Sequence, residues 1–270
     1  MLSFASICPH PPIIVPTIGG KELNKTDKTV GAMKKLAEDF CLARPETIIV
    51  ISPHGPVQHG RMTINASKEL KGDFTQFGDF KTTLFFKNNL EMVSAIKEAA
   101  LKNGVPVGSV DISQLDYGSL VPLYYLTQNH YSAKLIPIAF SFLDFQTHFH
   151  FGQAIGEVIG KRDEKRDKKI DKKIAVIASG DLSHRLTPDA PAGYSPSGKE
   201  FDEKLIALLK KNDPEGILNL NPDLIEEAGE CGLRSIIILL GVLSGLRHNF
   251  EILSYEAPFG VGYLVAKADF

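Results

Sequence analysis

Thr47–Ser52 reads TIIVIS, and Pro53, His54, Gly55 and Pro56 follow it directly. The run is continuous and β-branched, with no polar alternation, which suits a strand covered on both faces. Such a strand belongs to a sheet held between layers of helix, and the rest of the chain repeats the pattern. Leu2–Cys8 is a second apolar run, stopped by Pro9, and residues 133–140 and 174–179 are two more. Between these runs apolar residues recur at helical spacing. Val30, Met33, Leu36, Ala37, Phe40 and Cys41 mark one face of a helix that runs from the twenties to Arg44 and ends at Pro45. Further helix is expected over residues 90–103, 121–129, 149–160, 199–211 and 231–246, and two last strands over 250–255 and 260–266, around Pro258. Strands alternating with helices predict a three-layer α/β/α fold with a central, largely parallel or mixed sheet, and one domain over residues 1–270.

A chain of 270 residues can bury roughly three quarters of its unfolded surface, so its core needs neither disulfide nor structural metal. Net charge is -2, which excludes general attraction to nucleic acid or to an anionic membrane. The charged run KRDEKRDKKIDKK at 161–173 mixes both signs and reads as a solvated segment. Cys8, Cys41 and Cys231 are far apart and form no CxxC pair, as in a reduced protein. The N-terminal stretch has no basic start or long apolar run, and the apolar stretch at 236–246 is too short to span a bilayer. A cytoplasmic enzyme is the expectation.

Chemistry gathers at strand ends. His10 follows the first strand in CPHPP, His54 follows TIIVIS in ISPHGP, and His184 follows residues 174–179 in ASGDLSH. Ligands of open α/β sheets bind at the carboxyl ends of strands, so these histidines are placed to converge. Prolines beside His10 and His54 restrict their loops. Two histidines and a carboxylate on one side of a metal leave positions open on the other, which suits Fe(II) with substrate and dioxygen. The best carboxylate is Glu230 in EEAGECGLRS, flanked by Gly229 and, beyond Cys231, Gly232. An acid favouring the dipole of the following helix is its competing reading. Glu226 and Glu227 read as a solvated face, His59, His130 and His248 as loop or helix-end residues, and His148 and His150 as the opening of a helix.

CPHPPIIVP, ISPHGP, ASGDLSH, GECGLRS and YEAPFGVGYLVA, in this order over nearly the whole chain, resemble the class III extradiol ring-cleavage dioxygenases, catalytic-subunit type. The chain is also similar to the Memo proteins. The first resemblance implies a cytoplasmic oxidoreductase that opens a catechol or aminophenol ring with Fe(II) and dioxygen; zinc can replace iron in isolated protein. It places metal ligands on His10, His54 and Glu230 and the acid/base on His184. It implies a small aromatic substrate, no nucleic acid or membrane partner, and a homo-oligomer or a small partner subunit. Many members carry a histidine in an Asp-His-Gly block before Val-Pro-Leu; this chain reads LDYGSLVPL, with Tyr117 at the histidine. A phenol of reference pKa about 10 can donate a hydrogen bond but is a poor base at neutral pH. Memo proteins place a cysteine before a glycine in the segment that matches Cys231 and Gly232. That resemblance implies a metal- or partner-binding pocket without ring cleavage. Of the two neighbours, Glu230 is the expected ligand, since hard oxygen suits Fe(II). A metal-assisted hydrolase is a third reading that no motif supports.

Overall fold

The computed structural model describes residues 1–128, 132–160 and 172–270. The elements are β1 (Leu2–Cys8), α1 (Pro16–Gly19), α2 (Asp27–Ala43), β2 (Thr47–Ser52), β3 (Met62–Asn65), β4 (Glu69–Phe74), β5 (Asp79–Lys87) and α3 (Leu90–Lys102). Then follow β6 (Val107–Val110), α4 (Tyr117–Leu126), β7 (Lys134–Ala139), α5 (Phe145–Gly160), β8 (Ile174–Ser179) and α6 (Pro196–Lys210). The chain closes with α7 (Pro214–Leu218), α8 (Pro222–Ala228), α9 (Leu233–Leu243), β9 (Asn249–Glu256) and β10 (Tyr263–Asp269).

Eight strands form one sheet in the order β6-β3-β7-β2-β8-β1-β10-β9, and β4 and β5 make a separate hairpin. The central strands β7, β2, β8 and β1 run parallel. β3 turns antiparallel to β7, and β10 antiparallel to β1, so the sheet is mixed. Every residue of β2 and β8 is buried, as their unbroken apolar runs require. α3, α5 and α9 cover one face, through Ile96, Phe151, Ile155 and Ile237. α2 and α4 cover the other, through Met33, Leu36, Phe40 and Leu120. This is the expected three-layer α/β/α arrangement. Among the described residues, no helix is long and apolar enough to cross a membrane.

The sequence reading passed over β3 to β6, which are short or alternate with exposed polar residues. The last core helix is shorter than 231–246, spanning Leu233–Leu243. α4 starts earlier than expected, because Asp116 caps it by accepting from Ser119 N–H at 2.9 Å. The charged run at 161–173 lies outside the described residues except for Lys172 and Lys173, and so does the end of the helix expected over 121–129.

Asp202 on α6 ties the segment holding His184 to the sheet. Its Oδ1 accepts from Ser183 N–H at 2.9 Å and its Oδ2 from Tyr255 O–H of β9 at 2.6 Å. Burial raises its carboxyl to about 6, against the pull of these two donors. A carboxyl raised on folding binds its proton more tightly in the native state. Its contribution is therefore full below the unfolded value near 4 and is lost as pH rises through about 6. Stability of the wild type should fall by up to about 3 kcal/mol across this window from Asp202. Asp202→Asn should remove that part of the slope in urea unfolding between pH 4 and 7; an unchanged slope would exclude Asp202 as its source.

Candidate metal centre

β2, β8 and β1 are adjacent and parallel, so their carboxyl ends share one edge. His10 and His54 lie just past β1 and β2 and lean toward each other over the tip of β8. Their Nε2 atoms are 3.1 Å apart, with ring centroids 4.8 Å apart at 81°. The Cys231 sulfur stands 3.7 Å from His10 Nε2, and one donor atom from each of the three residues falls within 4.8 Å of the others. Zinc–nitrogen bonds of about 2.0–2.1 Å and a zinc–sulfur bond of about 2.3 Å put tetrahedral donors roughly 3.3 and 3.6 Å apart. The spacings of His10 to His54 and to Cys231 thus fit a divalent ion.

Cys231 reaches the pair through a close crossing of backbones. A Cβ on Gly180, just past β8, would collide with the backbone of Gly232, so glycine is required where the two segments cross. Cys231 N–H donates to Asp181 O, and Asp181 N–H donates to the Cys231 sulfur, both at 3.3 Å. Glu230 is not brought to the histidines in this arrangement. Its Oε2 accepts from Leu233 N–H at 2.5 Å, holding a donor that the first turn of α9 leaves without a helical partner. Burial raises the Glu230 carboxyl to about 7, and the Leu233 N–H and the Arg234 charge oppose the rise. Burial likewise pushes the Cys231 thiol well above its ordinary value, helped by the Asp181 and Glu230 charges. A coordinated cation reverses that balance, since a thiol that binds metal gives up its proton.

The proton on His10 is fixed from the opposite side of the sheet edge. Pro122 lies inside α4 and has no N–H, so the Gly118 carbonyl, four residues earlier, has no helical donor from it. Ser179, the last residue of β8, gives its hydroxyl proton to Gly118 O at 2.5 Å. Ser179 Oγ must then accept in its 3.0 Å contact with His10 Nδ1, which makes Nδ1 the protonated nitrogen. His10 Nε2 is left with a bare lone pair facing His54. Without metal, the 3.1 Å contact between the two Nε2 atoms is closed by a proton from His54. A cation at that point takes both nitrogens as donors. Burial lowers His10 to about 3 and His54 to about 4, so both rings are neutral, as ligation requires.

Tyr117, the first residue of α4, faces the cluster. Its ring stacks on His54 at 4.3 Å and 26°, and its hydroxyl lies 2.8 Å from His54 Nε2. Burial raises the phenol to about 12, with the charges of Cys231, Asp181 and Asp116 adding to the rise, so it stays protonated at neutral pH. His184 donates from Nδ1 to Gly229 O at 2.7 Å, so Nε2 is the nitrogen that can take up or give a proton. Asp181 Oδ1 accepts from His10 N–H at 2.9 Å, and burial raises its carboxyl. His148 is fully buried and bonded to Asp144 O and Ser141 O, and so serves packing.

Sequence reasoning missed Ser179 and Asp116. Asp116 accepts from Ser52 Oγ at 2.5 Å, and Ser52 Oγ in turn accepts from His54 N–H at 3.2 Å, so Asp116 braces the His54 loop. Both residues sit inside motifs quoted for their histidine or tyrosine, and their contacts arise only where two segments meet.

Comparison with known proteins bears on family and fold. A Clostridium acetobutylicum protein is 35% identical over 272 residues, 97% of this chain and 56% of that protein. The chain thus spans about half the length of that relative. The 3,4-dihydroxyphenylacetate 2,3-dioxygenase of Escherichia coli is 26% identical over 255 residues, 89% of this chain and 84% of that one. A crystal structure of an uncharacterised protein from Escherichia coli K12 shares the fold, with a TM-score of 0.63 at 17% identity over 98% of this chain and 99% of that one. Residues 4–266 match a family described as the catalytic LigB subunit of aromatic ring-opening dioxygenase, and the chain belongs to that family.

Proposed function

We propose that the chain holds one divalent metal through His10, His54 and Cys231 and opens the ring of a catechol or aminophenol beside its hydroxyl, with dioxygen. The observation that carries this reading is the convergence of three metal donors beside the hydroxyl of Tyr117. Family membership and the similarity to a 3,4-dihydroxyphenylacetate 2,3-dioxygenase supply the reaction class. When bound, the metal would supply Lewis acidity toward the substrate oxygens and, as Fe(II), a path for electrons from the bound diol to dioxygen.

His184 takes a proton from a substrate hydroxyl at Nε2 and returns it to the opened product, while Gly229 O keeps the other nitrogen protonated. Tyr117 donates a hydrogen bond and does not act as a base, given a phenol near 12. Ser179 and Asp116 orient the two histidines. Glu230, the ligand expected from the family resemblance, serves here to cap α9. A metal pocket of the Memo kind, without ring cleavage, is the second reading, and the seating of Cys231 beside His10 favours it.

His10→Ala, His54→Ala and Cys231→Ala should each lower bound metal strongly, measured by elemental analysis after loading and desalting. Ser179→Ala should weaken metal binding by about 10–100-fold through loss of the His10 partner. Glu230→Gln should keep the metal and lower Tm. Loss of metal in Glu230→Gln with full retention in Cys231→Ala would restore the carboxylate as ligand.

Anaerobic loading with Fe(II), then exposure to oxygen with catechols and 2-aminophenol, should give oxygen uptake and a ring-opened chromophore. His184→Phe should keep the metal and lose about 10²–10⁴-fold in rate, the span of general acid–base catalysis. Tight catechol binding with no oxygen uptake in the wild type would instead support the second reading.

A further inference from the structure

Arg234 stands in the first turn of α9. Three rings from the connection between β7 and α5 pack around its guanidinium: Phe140, Phe142 and Phe145, with centroids 5.9, 5.7 and 5.2 Å from Cζ. The register Ser52↔Ala139 sets Phe140 level with Pro53, at the edge where α/β sheets take their ligands. His59, from the loop after β2, lies against Phe142, with ring centroids 4.9 Å apart. His148 holds the β7–α5 connection in place through Ser141 and Asp144.

Aromatic faces stabilise a cation but offer no oxygen to its N–H groups. The five N–H donors of Arg234 have no hydrogen-bond acceptor among the described residues, and no ion pair reaches it there. The nearby carboxylates are committed elsewhere. Glu230 accepts from Leu233 N–H, and Asp144 accepts from the N–H and the hydroxyl of Thr147. Nε is sealed from solvent. The terminal nitrogens are not, since Arg234 keeps part of its surface and Nε alone of its nitrogens is buried without a partner. Phe142 is 55% exposed and forms the open wall of the cluster. A charge among apolar walls is poorly solvated, so it attracts an anion more strongly than a surface arginine does.

We propose that Arg234 and these rings form a binding site for an aromatic carboxylate. The two carboxylate oxygens take the fork of Nη1 and Nη2, and the ligand ring lies against Phe142. The planar fork matches a planar carboxylate, and a single cation balances a single negative charge. A phosphate dianion would keep a charge unbalanced, because Arg234 is the one cation over these rings among the described residues. The site stands on Arg234 and not on the metal donors, so it holds whether or not the metal centre opens rings.

Calorimetric titration at low salt with benzoate, benzyl alcohol, acetate and inorganic phosphate tests the site. Benzoate should bind tightest, about tenfold or more above benzyl alcohol, the worth of a hydrogen bond to a charged group. Zinc-loaded and chelator-treated protein should bind benzoate alike, which separates this site from capture of a carboxylate by the metal. Arg234→Met should bring benzoate down to the level of benzyl alcohol. Arg234→Lys, a point charge without the fork, should keep only part of the difference. Phe142→Ala, at an exposed position, should bring benzoate down to the level of acetate and leave acetate binding and Tm unchanged, so the test stands even where Arg234→Met disturbs the fold. Unchanged benzoate binding in Arg234→Met, benzoate binding that disappears with the metal, tightest binding of phosphate, or no preference for benzoate over benzyl alcohol would overturn the proposal.

Discussion

The arrangement at the sheet edge depends on how β8 ends. β8 lies between β1 and β2. Neighbouring strands are about 4.8 Å apart, so the strands that carry His10 and His54 are separated by about 10 Å. The two histidines meet only because their loops lean across the strand between them. That strand must therefore stop in small residues, and it does so in Ser179 followed by Gly180. Ser179 is the relay through which Gly118 sets the tautomer of His10. Gly180 lets the segment of Cys231 cross close above it. A bulky residue at either place would separate the donors.

A hydrogen bond at the start of α9 holds the Glu230 carboxylate away from the thiol beside it. Glu230 and Cys231 both precede α9, whose first-turn N–H groups have no helical partner. The carboxylate has the length and the charge to bond one of them, and it takes the Leu233 N–H. The thiol is left pointing back at His10, where the Asp181 N–H also holds it. Proline in α4 acts at the same edge from the other side. Its missing N–H frees a carbonyl for Ser179, and so fixes one proton on His10 two elements away.

Much of this was legible in the sequence. The buried strands β1, β2, β7 and β8 announce themselves as unbroken apolar runs, and the position of His10, His54 and His184 past strand ends placed them on one edge. The family resemblance pointed to Tyr117 in LDYGS, and it lies against His54. β3 to β6 were not legible, because four-residue strands and a half-exposed hairpin carry little periodic signal. The seating of the Cys231 sulfur, rather than the Glu230 carboxylate, beside His10 was hidden for another reason. Donor softness favoured the carboxylate, whereas the need of a helix end for a cap outweighs it, and that need depends on where α9 begins. Ser179 looks like an ordinary strand residue, and only the segments packed against it give it a role.

Whether a sulfur completes the metal centre is the question on which the chemistry turns. X-ray absorption at the metal edge of the loaded protein answers it directly. One sulfur at about 2.3 Å beside two imidazole nitrogens at about 2.0–2.1 Å is the expected first shell for zinc. In Cys231→Ser the sulfur scatterer should vanish while the imidazole signal remains. A first shell of nitrogen and oxygen alone in the wild type would contradict ligation by Cys231 and return the third position to a carboxylate.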